Sequence, residues 1–160
     1  MTVPRMSLVR LLLLATLPVL GAGCSGDPAV PAPAPEETGA VESYALRSDD
    51  GVDVVYFEPA SPCECMAEVG VAVEQAVRAG FSDELSTGEL RFYHVVSDDP
   101  ANRPTVEMFN AQPFDLFIVE SEDGRSTSTP VYEIWNMMGD NDAIAACVTT
   151  QVSASLAGQP

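Results

Sequence analysis

VDVVYFEPASPCECMAEVGVAVEQAVRAG, residues 52–80, is the stretch on which the fold turns. Val52 to Phe57 is a short β-branched and aromatic run with almost no break in its hydrophobicity, the pattern of a strand covered on both faces. Pro59 and Pro62 end it, because proline has no N–H to give to a ladder. Met66, Val69, Val73 and Val77 then recur at spacings of three and four, with Glu68, Glu74 and Arg78 elsewhere, which predicts a helix with one buried stripe. Gly80 suits its C-terminal cap. Between strand and helix stand Cys63, Glu64 and Cys65.

Toward the C-terminus, Phe81 to Ser86 adds a further helical turn before Gly88, and Leu90 to Val96 reads as a second strand, again apolar on both faces. Two strands joined through a helix form a crossover unit and run parallel. A shorter helix is expected between about Arg103 and Asn110, with Pro104 in its first turn. Leu116 to Glu120 is a third strand, and Glu122, Asp123 and Gly124 turn tightly into a fourth near Ser126 to Val131. Tyr132 to Met138 reads as helical, stopped by Gly139, and Asp142 to Leu156 as a closing helix with Ile144, Val148 and Val152 on one side. The order βαβαββα predicts an α/β fold. The expected architecture is a thioredoxin-like three-layer sandwich, a central mixed sheet of about four strands with flanking helices, although other small α/β sandwiches share parts of that order.

Toward the N-terminus, Arg5 and Arg10 precede an apolar run from Leu11 to Leu20, which has the length of a signal-peptide core and is too short to span a bilayer unaided. The run closes on Gly21, Ala22, Gly23 and Cys24, which resembles a bacterial lipobox with Cys24 as the lipidated residue; Gly21 stands where such boxes usually carry Leu, which leaves ordinary signal-peptide cleavage as the alternative. Residues 1–23 are thus expected to be a signal peptide of lipoprotein type. Residues 24–50, rich in Pro, Ala and Glu, are expected to form a semi-rigid tether, and residues 51–157 the folded domain. The expected location is outside the cytoplasm, membrane-anchored and facing the periplasm or cell exterior.

The chain has 24 acidic residues against seven arginines and no lysine, a formal net charge of −17. Binding to nucleic acid runs on cations that displace counterions from phosphates, so nucleic acid is excluded as a partner, and anionic lipid surfaces are disfavoured for the same reason. No phosphate-binding glycine loop, serine nucleophile motif, zinc motif or calcium loop occurs, and no cofactor is called for.

The chemistry concentrates at Cys63, Glu64 and Cys65. Unpaired N–H groups at a helix N-terminus favour thiolate over thiol, whereas the charge of Glu64 acts the other way. Two thiols there can pass electrons by closing and opening a disulfide, and an exported protein meets surroundings in which disulfides persist. A bridge across one residue requires the backbone to bend through Glu64 and is expected to be strained, which favours an oxidant or exchange centre over a strong reductant. An inert link is a weaker explanation, since so small a loop restrains the unfolded chain little. The remaining alternative is a non-catalytic binding module, in which the pair holds a soft metal or metalloid, with Met66 beside two thiolates but no clear further ligand, or the domain docks a partner protein. Elsewhere, His94 reads as a core or edge histidine, Trp135 with Tyr132 as packing, and Cys147 as a small core hydrophobe with a resolving thiol as the alternative.

Three stretches resemble a known family. VVYFE with the cysteine motif after it, FSDELSTGELRFYHVVSDDPANR across the second strand, and YEIWNMMGDNDAI near the end are similar, in order and spacing, to the thioredoxin-like nitrophenyl compound nitroreductase subunit ArsF family, from Val52 to about Ser155. That family usually carries two residues between its cysteines. Here only Glu64 intervenes, so Cys65 aligns with the second cysteine and Cys63 is a displaced stand-in for the first. The nitroreductase activity in the family's name is not carried over, because nothing in the chain is recognisable as a flavin or nitroaromatic site. The cysteine pair and the export signal together lead to the expectation of a thiol–disulfide exchange protein acting on a protein or small-molecule thiol, with any partner reductase unidentified, and the way thioredoxin folds generally work implies that Cys63 forms the mixed disulfide and Cys65 resolves it. Likeness to thioredoxin-fold proteins also implies a proline opposite the cysteines at the start of the third strand. Pro113 is the candidate, as a cis bond lining a substrate groove or as an ordinary trans proline.

Overall fold

A computed structural model describes residues 44–158. The expected signal peptide, Cys24 and most of the tether lie outside the described residues. β1 (Gly51–Glu58), β2 (Leu90–Val96), β3 (Leu116–Glu122) and β4 (Arg125–Pro130) form one open mixed sheet in the order β2-β1-β3-β4. β1 pairs with β2 in parallel, as the intervening helix requires, and with β3 antiparallel; β3 and β4 are joined by a hairpin whose turn places Asp123 and Gly124 at positive φ.

The central strand is buried along its whole length and feeds two cores. Val52, Val54 and Tyr56 point to one face, where α1 (Glu64–Gly80) and α4 (Asn141–Ala157) cover them with Val69, Val73 and Val77 and with Ile144, Val148 and Val152. Val55 and Phe57 point to the other, against Phe117, Ala111, Tyr44 and the side of α3 (Arg103–Phe109). The period-two alternation of one strand thus becomes helical layers on both faces of the sheet. α2 (Ser82–Thr87) is a short surface turn closed by Gly88 at positive φ, and Tyr132–Met137 folds as a 3-10 helix rather than an α-helix.

Two expectations are corrected. β2 is not covered on both faces: it is an edge strand, with Phe92 and Tyr93 half-buried and His94 exposed. The boundary drawn at Gly51 moves back to Tyr44, because Tyr44 and Arg47, inside the stretch read as tether, are buried. Their anchor is Asp53, fully buried on β1, which accepts from Arg91 Nε and Nη2 at 2.8 Å each, from Tyr44 Oη at 3.2 Å and from Arg47 Nη1 at 3.5 Å. Arg47 also donates to the carbonyls of Gly88 and Glu89, which clasps the start of β1 to the start of β2. An acid in the middle of an apolar strand is tolerated because it is paired and hydrogen-bonded.

Candidate functional site

Glu58 closes β1, and Pro59 and Pro62 then carry the chain to Cys63; Ala60 N–H donates to Asp98 Oδ1 at 2.8 Å, tying this loop to the end of β2. Cys63 is the N-cap of α1, in extended conformation, and its carbonyl accepts from Met66 N–H and Ala67 N–H at 3.0 Å each. Its side chain caps nothing and stays available. Cys65 lies in the first helical turn. Both thiols are exposed, and Cys63 Sγ stands 3.2 Å from Cys65 Sγ. Bending through Glu64 has therefore brought the two sulfurs into contact, and a bond of about 2.05 Å would need them to approach by roughly a further 1.2 Å.

The Cys65 thiol is held above the ordinary cysteine value, first by its hydrogen bond with Cys63 Sγ, then by burial and by the charge of Cys63, with its own backbone N–H pulling the other way. Of the opposing effects expected at this helix end, the upward one prevails at Cys65, and its largest source is the neighbouring sulfur rather than Glu64.

Pro113 lies at the same end of the sheet. Phe57 N–H donates to Asp115 O at 2.9 Å and Phe114 N–H to Phe57 O at 2.6 Å, so the turn before β3 is stitched to the last residues of β1. Within it Asp115 N–H donates to Gln112 O, with Pro113 second and Phe114 third at φ 74°, the pattern of a type II turn. No peptide bond among the described residues is cis, so Pro113 is trans and the cis alternative is corrected. Proline at the second position of such a turn needs only its fixed φ near −65°.

Holding Phe114 at positive φ sends its ring against Trp135, edge to face with centroids 5.9 Å apart. Those two side chains, with Met66, Val69, Ile134 and Met138, line an apolar dimple beside the cysteines. Its free volume of about 10 Å³ is that of a single water site. Sequence reasoning placed Met66 on the helix stripe and Trp135 in the packing; that they meet around Phe114 was missed. The one local signal was a large aromatic directly after Pro113.

Glu58 is the other group that sequence reasoning passed over. It is buried beneath this end of the sheet, with His94 Nε2 2.7 Å from its Oε2, while its Oε1 and the Tyr56 hydroxyl have no hydrogen-bond partner. Burial first, and then the charge of Glu58, push the Tyr56 hydroxyl well above its usual value. His94 is an edge histidine, as one reading expected. Cys147 is half-buried against the core of α4, its thiol pushed up by burial and then by the charge of Glu133. Among the described residues no group of three or more His, Cys, Asp or Glu side chains could hold a metal, and no helix is long and apolar enough to cross a membrane. Comparison with protein-family models, with curated proteins and with solved structures finds no match to the chain.

Proposed function

We propose that this chain is an exported, lipid-anchored thiol–disulfide exchange protein of thioredoxin-like fold. The observation that carries the reading is the pair of exposed sulfurs 3.2 Å apart at the start of a helix. The βαβαββα order, with the pair at the first strand-to-helix junction, supports the thioredoxin-like assignment and the resemblance to the ArsF family.

In this mechanism the Cys63 thiolate attacks one sulfur of a partner disulfide. A Cys63–partner bond forms, the partner S–S bond breaks, and the departing thiolate takes a proton. Cys65 then loses its proton and attacks Cys63 Sγ, which forms the Cys63–Cys65 disulfide and expels the second partner thiol; two electrons have passed to the partner, and the same steps reversed oxidise a dithiol.

The test is a pair of single substitutions. Cys65→Ser should trap a mixed disulfide on Cys63, and Cys63→Ser should abolish both insulin reduction and dithiol oxidation. The reverse pattern would overturn the roles, and full activity in both variants would overturn the reading. A second reading, a soft-metal site, rests on the two exposed sulfurs in contact, with Met66 next to Cys65 in the chain. Metal analysis after purification under reducing conditions separates the two: stoichiometric metal supports that reading, and metal-free protein with a titratable dithiol supports exchange.

A further inference from the structure

The surface around the dithiol has one chemical character, and it selects among thiol partners. Three segments meet there: residues 59–74, which carry the cysteines, the turn at residues 111–115, and residues 131–142, which supply Ile134, Trp135 and Met138. None of the three contains a lysine or arginine. Glu64 and Glu68 project exposed from the first turns of α1, and Glu133 is exposed on the segment that contributes Trp135. Glu68 is close enough to act on the Cys65 thiol through its charge, and Glu133 on that of Cys147. Inside this acidic rim the dimple is apolar throughout and opens at Met138, which is 48% exposed. Thioethers adapt to whatever shape they meet, so Met66 and Met138 can part around an inserted side chain.

We infer that the partner is a cationic polypeptide whose reacting cysteine is flanked by a large apolar residue, the apolar side chain seating on Trp135 and Met138 while basic residues meet Glu64, Glu68 and Glu133. This rests on the exchange reading and narrows its substrate class. An anionic small thiol approaching the dithiol meets the like charges of Glu64 and Glu68, whereas a basic segment is drawn in, and steering by such charges changes association rates by about tenfold or more at low salt. Exposed charges are screened beyond about 8 Å at physiological ionic strength, so the preference falls as salt rises. The covalent step is the exchange already described, with the peptide disulfide reduced and the Cys63–Cys65 pair oxidised.

The experiment uses the reduced protein and four synthetic peptide disulfides: lysine-flanked with phenylalanine beside the cysteine, lysine-flanked with serine there, glutamate-flanked with phenylalanine, and uncharged with phenylalanine. Hydroxyethyl disulfide serves as an uncharged small control. At low ionic strength the lysine–phenylalanine peptide should react about tenfold faster than its glutamate counterpart, and 1 M salt should close the gap. Glu68→Gln with Glu133→Gln should narrow it without salt, and Met138→Ser should reduce the advantage of phenylalanine over serine; all three positions are exposed, so the substitutions leave the core intact. Equal rates for the lysine and glutamate peptides at low salt, or a gap unchanged in the double variant, would overturn the inference while leaving exchange in place. No reaction with any disulfide, hydroxyethyl disulfide included, would remove the exchange reading and the inference together.

Discussion

Tyr56→Phe removes a single oxygen from the core. Tyr56 is fully buried on β1, its hydroxyl has no hydrogen-bond partner, and its neighbour Glu58 has an equally unpartnered Oε1. A buried hydroxyl without a partner costs about 1–3 kcal/mol, and phenylalanine keeps the ring and its apolar burial. The variant is therefore expected to be more stable by about 1–2 kcal/mol, which for a domain of this size raises Tm by about 4–8 °C. A second signature lies in the pH dependence. Because the Tyr56 hydroxyl is pushed above the usual phenol value of about 10, the folded chain keeps a proton that the unfolded chain gives up. This contribution is fully present below pH 10 and is lost as pH climbs from the unfolded value toward the folded one. Tyr44, raised by burial and then by the charge of Asp53, behaves the same way and remains in the variant. Urea unfolding between pH 7 and 11, followed by circular dichroism with phenolate absorbance alongside, should show a steep alkaline loss in the parent chain and a shallower one in the variant. A variant less stable at pH 7 by 1 kcal/mol or more, with an unchanged alkaline slope, would refute the argument, since the hydroxyl would then have a partner in solution.

Asp53→Ala should cost about 3–5 kcal/mol by urea unfolding, because Arg91 loses its bidentate partner and the buried Arg47 keeps only the exposed Asp49 as a counter-charge. Gly70→Ala sets a helix-propensity gain of about 1 kcal/mol against overlap costing about 1–3 kcal/mol. Its new Cβ would sit 3.0 Å from Tyr56 Cε1 and 3.3 Å from Glu58 Oε1, both held in the sheet, so a net loss of stability is expected in thermal melts. Asp140→Ala removes the side chain that accepts from Ala143 N–H at 3.0 Å at the start of α4, and should lower stability by about 1 kcal/mol, read as a fall in urea midpoint at constant slope.

How far the sequence disclosed these features depends on how local their causes are. The stripe Val69, Val73, Val77 and the run from Val52 to Phe57 encode their elements in their own periodicity, and both fall where that periodicity puts them. LRFYHVV reads as a strand too, but its edge position follows from the order of strands in the sheet, which no short window carries, so its burial was overestimated. Tyr44 and Arg47 were hidden by their neighbours' Pro/Ala/Glu composition; the acid at Asp53 inside an apolar strand was the trace of a buried cation to be found elsewhere. The cysteine pair was legible because both members sit within three residues. The dimple beside it was not, because Met66, Phe114 and Trp135 come from segments far apart in the chain.

The clasp of Arg47 on Asp53, Gly88 and Glu89 gives the molecule a polarity. It fixes the incoming chain where β1 begins, whereas the sulfurs lie past the point where β1 ends, about 26 Å along the strand at 3.3 Å per residue. Loosening the guanidinium clasp is therefore a disturbance at the opposite end of the strand from the thiols.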